Sequence, residues 1–90
     1  MVKPKKEPVR LFSEQHTSPR DLLLYNDDVN TFDYVIEMLI EVCDHQSYQA
    51  EQCAYIAHYK GKCEVKSGFY AEIKPKYDEM TRRGLTVAID

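Results

Sequence analysis

The apolar pattern changes in a definite order along these ninety residues and predicts an α+β fold. The expected form is a two-layer sandwich in β-α-α-β-α-β order, its three-stranded antiparallel sheet covered by helices on one face. Three observations carry that prediction. Short apolar or alternating runs at Leu22–Tyr25, Cys63–Tyr70 and Leu85–Ile89 read as strands. The segments between them carry apolar residues at helical spacing. Turn formers, namely Asn26-Asp27-Asp28, Gly61 and Gly84, stand where one pattern gives way to the next.

Residues 1–21 hold three of the four prolines and little periodicity, so apolar burial there scarcely offsets the entropy of ordering the chain. They read as a flexible N-terminal arm, which leaves 22–90 as one folded domain. Val9, Leu11 and Phe12 interrupt the arm's polarity, as either a transient strand or a docking motif. Leu22-Leu23-Leu24-Tyr25 is a compact strand, after which Asn30 or Thr31 caps a helix. On that helix Phe32, Val35, Ile36, Leu39, Val42 and Cys43 form the stripe that packs on the sheet, and Asp33 and Glu37 suit its positive end. Ser47 is the expected N-cap of a second helix, whose inward positions Ala50, Cys53, Ala54 and Ala57 are small enough for close approach. Gly61 fits the position after that helix, where positive φ carries no steric penalty for glycine. The alternation from Cys63 is expected to continue through Tyr70. A third helix then begins close before Pro75, turns Tyr77 and Met80 inward and ends at Gly84. Leu85, Val87 and Ile89 form one buried face of the last strand.

Composition narrows the function. A chain this short supports one small core and one site. No apolar run approaches the roughly eighteen residues that suggest a membrane span. The first residues carry lysines but lead into no apolar h-region, so a secretory signal is not supported and a cytoplasmic protein is expected. Three scattered cysteines fit reduced, partly buried thiols better than a disulfide framework, and the Cys and His spacing lacks two ligand pairs suited to zinc. No metal and no cofactor is expected. A formal net charge of −3, with lysines interleaved among acidic residues, argues against nucleic acid as a partner.

The most informative segment is Leu24-Tyr25-Asn26-Asp27-Asp28-Val29-Asn30-Thr31, which places an amide and two carboxylates in one turn between strand and helix. By itself such a cluster ends a strand and caps a helix. About thirty residues on, His58-Tyr59-Lys60-Gly61-Lys62 closes the second helix. Together the two segments resemble the ClpS adaptors, which carry Asn-Asp-Asp at the first turn and His-Tyr-x-Gly-Lys at the second. The similarity runs from about Leu22 to Ile89 with no insertion between the motifs.

That resemblance implies an adaptor and not an enzyme. It implies recognition of N-degrons, that is, proteins led by Phe, Leu, Tyr or Trp, and their delivery to a Clp AAA+ unfoldase of the ClpA or ClpC type with its protease. Carried over residue by residue, Asn26, Asp28 and His58 grip the α-amino group, while Asp27 either joins them or serves the turn. Asn30, Phe32, Val35, Ala54 and Leu85 form a socket for the first side chain, although Val35, Ala54 and Leu85 also read as ordinary core. Glu72 matches a residue that contacts the ATPase, and also suits the first turn of a helix. The chain departs from the family pattern where Phe32 and Ala54 replace methionines and Asn30 replaces a threonine.

Elementary chemistry agrees with the implied role. A free α-amino group, with an ordinary pKa of about 7.7–8.0, presents one positive charge and three N–H donors. An amide oxygen, a carboxylate and an unprotonated imidazole nitrogen are matching acceptors. Two other readings compete: a general protein-interaction domain of the same element order, like the C-terminal domain of a ribosomal stalk protein, and a small hydrolase using Asp27, Asp28 and His58. The second is weakened because no Ser or Cys is placed by sequence beside His58.

Overall fold

A computed structural model describes residues 18–90. The arm expected at 1–21, with its Val9–Phe12 cluster, therefore lies outside the described residues except for Ser18 to Asp21. The elements are β1 (Arg20–Tyr25), α1 (Phe32–Cys43), α2 (Ser47–Lys60), β2 (Lys62–Gly68), α3 (Tyr70–Arg82) and β3 (Val87–Ile89). The strands lie in the order β2-β1-β3 with both pairings antiparallel, so β1 is central and begins two residues before the apolar run that marks it in sequence.

Period-two alternation turns Leu22 and Leu24 of β1 and Cys63 and Val65 of β2 toward the helices, where all four are buried. Leu39, Val42 and Cys43 of α1, Ala50, Cys53 and Ala57 of α2, and Ile73 and Met80 of α3 complete a single core. Tyr77 packs against it from the edge. Burial raises the Cys43 thiol to about 11 and the Cys63 thiol to about 12, so both remain protonated core groups at neutral pH.

Four local expectations shift for identifiable reasons. Gln46, in extended conformation, is the N-cap of α2, and Ser47 is its first helical residue. The second strand stops at Gly68 rather than Tyr70, because the Glu72 carboxylate folds back to accept the Phe69 backbone N–H at 3.1 Å and starts α3. A Cβ at residue 68 would stand 2.5 Å from Glu72 Oε1, so glycine is what admits that carboxylate. Pro75 then lies inside α3, farther from its start than the missing N–H alone suggests. The final strand covers only Val87–Ile89, although the Tyr25 N–H bonds to the Thr86 carbonyl at 2.8 Å and extends the pairing by one step.

The α1 terminus is satisfied from other elements. Asp44 adopts left-handed geometry (φ 59°), and the His45 N–H returns to the Leu39 carbonyl at 3.2 Å. Lys76 of α3 donates to the Val42 carbonyl at 3.1 Å, and Lys66 of β2 to that of Cys43 at 3.4 Å. Lys66 is free to do so because of a bulge: Leu22 pairs with Lys66 and Leu23 with Glu64, leaving Val65 as the extra residue. The Val65 carbonyl lies 2.6 Å from Nε2 of the buried His45.

At the other end of the helix layer Glu79 binds Arg82 and Arg83, and Arg83 also reaches Glu41 of α1 at 2.6 Å. The two guanidiniums hold the Glu79 carboxyl down to about 2 from its ordinary 4.5. A carboxyl depressed by folding stabilises above its unfolded pKa and loses that contribution as pH falls. The melting temperature is therefore expected to drop as pH is lowered from about 4.5 toward about 2. The drop is modest because the pairs face solvent, and Glu79→Gln should flatten it; an unchanged slope in that variant would show that other carboxyls dominate.

Candidate functional site

Three segments converge at the end of the sheet where β1 passes into α1. The turn after β1 is shaped by Asp27: its Oδ1 accepts the N–H groups of Val29 and Asn30 at 3.0 and 2.9 Å. Its Oδ2 accepts the Asn30 amide at 2.9 Å and the Thr86 hydroxyl at 3.1 Å. These hydrogen bonds lower the Asp27 pKa against the opposing effect of burial, the largest single influence on it. Asn30 donates further to the Gly84 carbonyl at 3.0 Å, so the segment that follows α3 is tied to the same turn.

The C-terminal end of α2 completes the arrangement. Gly61 has φ 97°, and its N–H bonds back to the Ala57 carbonyl at 2.9 Å. Its own carbonyl accepts the Asn26 N–H at 3.0 Å, which brings the second sequence motif against the first. One turn before Gly61, His58 lies beside Phe32 of α1, with ring centroids 5.1 Å apart.

Between these segments is a cavity of about 270 Å³. The polar residues Asn26, Asp27, Asp28 and His58 border it. Asn30, Phe32, Val35, Ala54 and Leu85 line the remainder, joined by Leu24, Tyr25 and Ala57. Every residue nominated from sequence for the amine site and the socket thus borders one space, whereas Glu72 does not border it. Asp27 lines the cavity with both carboxylate oxygens already engaged, by Val29, Asn30 and Thr86. Val35 and Leu85 pack with the core as well as forming the wall. Ala54 is 3% exposed yet stands outside the core cluster, at the wall of the cavity. Among the described residues no group of three His, Cys, Asp or Glu side chains is arranged to hold a metal ion.

A family model described as "ATP-dependent Clp protease adaptor protein ClpS" matches residues 14–88. The chain belongs to the ClpS family. Among solved structures the chain is similar to Agrobacterium tumefaciens ClpS2 bound to L-phenylalaninamide. That match has a TM-score of 0.68 and 19% sequence identity, and covers 80% of this chain and 94% of the other. It shows the same fold. No curated protein sequence matches significantly. Among the described residues no helix is long and apolar enough to cross a membrane.

Within this ClpS fold, the parts that sequence reasoning did not assign to the site are those that hold it. The only early signal for Tyr25 is its place at the strand end beside Asn26. Thr86 reads in sequence as the exposed half of an alternating strand, yet its hydroxyl braces the Asp27 carboxylate. Tyr55, on the outer side of α2, packs its ring 5.0 Å from Phe32 and supports the cavity's rim.

Proposed function

We propose that this chain is an adaptor that binds the N-terminal residue of proteins led by Phe, Leu, Tyr or Trp and delivers them to a Clp AAA+ unfoldase of the ClpA or ClpC type, acting in the cytoplasm and not as an enzyme. The observation that carries the reading is that Asn26, Asp28 and His58, from two distant segments, border the same small cavity as an apolar wall. Their acceptors suit an ammonium group, and the wall suits the side chain attached to it. A volume of about 270 Å³ lies just under the usual range for small-molecule sites, which fits a single side chain rather than a larger ligand. The ligand of the similar Agrobacterium protein, L-phenylalaninamide, joins a free amine to an aromatic ring in the same way.

Neither half of the site suffices alone. Burying about 150–250 Å² of an aromatic side chain at about 25 cal/mol/Å² contributes roughly 4–6 kcal/mol. Loss of rigid-body freedom costs at least roughly 4 kcal/mol. Pairing of the ammonium therefore decides whether a peptide stays bound. Glu72, exposed at the start of α3, is the candidate contact for the ATPase; one of its oxygens already accepts the Phe69 N–H.

Titration with peptides that differ only at the first residue tests the reading. Phe, Leu, Tyr and Trp should bind, Ala should bind weakly, and an N-acetylated Phe peptide should not bind. Equal affinity for the acetylated peptide would replace this reading with that of a general interaction domain. Phe32, stiffer than methionine and held against Tyr55 and His58, is the wall expected to reject β-branched residues. Phe32→Ala should narrow the preference for Leu over Ile; an unchanged ratio removes it from that role.

A further inference from the structure

Four aromatic rings form a closed circuit at the mouth of the cavity. Phe32 and Tyr55 are 5.0 Å apart, Tyr55 and Tyr59 5.9 Å, Tyr59 and His58 4.7 Å, and His58 and Phe32 5.1 Å. Phe32 and His58 border the cavity, whereas Tyr55 and Tyr59 do not. The two tyrosines lie i, i+4 on α2 with their planes within 8° of parallel, and they are 52% and 72% exposed. Apart from its last residue, Lys60, the half of α2 from Gln52 onward carries neither Asp, Glu, Lys nor Arg. A solvent-facing helix surface ordinarily carries such residues, and here it carries a wide apolar platform continuous with a binding cavity.

Resting on the function proposed above, we propose that Tyr55 and Tyr59 form a second subsite for the side chain of the third residue of the same bound peptide, and that it favours an aromatic one. In an extended peptide the first and third side chains leave the same face about 6.6–6.8 Å apart, while the second points away. The tyrosine pair lies one ring's distance, 5.0 Å or less, from the Phe32 and His58 walls that flank the first side chain. The platform thus adjoins the cavity directly, and a peptide that leaves the cavity over this edge carries its next same-face side chain, that of the third residue, onto it. Flat, electron-rich ring faces suit another aromatic group in offset or edge contact.

The experiment uses peptides with free N-terminal Phe followed by serines, with a single Tyr at position two, at position three or absent, plus an acetylated copy of each. Tyr at position three should raise affinity about three- to tenfold over the serine peptide, the amount offset aromatic pairs contribute. Tyr at position two should leave it unchanged. Tyr59→Ser should remove the gain and Tyr59→Phe should keep it; comparing two peptides on one variant cancels any general disturbance of the site. Equal binding of the three free peptides, or a gain at position two, overturns the second subsite while leaving first-residue recognition intact. Binding of the acetylated copies, or none of any peptide, overturns both.

Discussion

Asp28→Ala is expected to weaken binding of a Phe-led peptide by about 10- to 100-fold, the contribution of a hydrogen bond to a charged group at a partly open site. Asp28 is exposed at the cavity's border, and the turn does not depend on its carboxylate, since the hydrogen bonds that shape the turn belong to Asp27. The melting temperature of the free protein should therefore change little. The loss has a recognisable ionic character. Wild-type affinity should fall as salt is raised, because the ion pair is screened, and the variant should be less sensitive. Pairing raises the pKa of the bound amine above its free value of about 7.7–8.0, so on the alkaline side binding is lost as pH climbs past the bound value. In Asp28→Ala that decline should begin at lower pH. Undiminished affinity in isothermal titration would show that Asp28 is not the counter-ion.

Ala54→Leu is expected to act on the other half of the site. Its added carbons would occupy the space that a ligand ring requires, and forfeiting about half of the roughly 4–6 kcal/mol of apolar burial corresponds to a loss of about 30- to 150-fold for Phe, Tyr and Trp peptides. Leu peptides should suffer less. Ala54 is 3% exposed and borders the cavity, so the added carbons have only that space to enter, and the melting temperature of the free protein is expected to change little. Salt sensitivity should persist. The two variants thus separate ionic from apolar recognition, and unchanged Phe binding in Ala54→Leu would place the first side chain elsewhere.

The parts of the molecule legible in sequence are those specified by neighbouring residues. Leu22 to Tyr25 and the α1 stripe depend on period, and Gly61 on one backbone angle, so each could be read locally. That Asn26, Asp28 and His58 border one cavity was legible because two short motifs stand at a recognisable separation. Features set by distant contacts were not. Alternation carries the eye from Cys63 to Tyr70, but Glu72 reverses direction to cap Phe69 and ends the strand early. Ser47 is a good cap by type, yet the chain leaves Gln46 in that position. In sequence Asp27 reads either as a ligand acceptor or as a turn former, and the contact that engages its carboxylate comes from Thr86, 59 residues away. The bulge at Val65, with His45 and Lys66 adapting to it, has no signature in the local pattern at all.

The hydrogen bond from the Asn26 backbone N–H to the Gly61 carbonyl joins the turn after β1 to the end of α2. Fraying of the helix end on one side, or release of the turn on the other, breaks that link and separates Asn26 and Asp28 from His58. A guest that touches both sides must hold the link closed, in proportion to its occupancy. The Asn26 proton is consequently a built-in reporter: its exchange into heavy water measures how often the cradle comes apart, and saturation with ligand slows it.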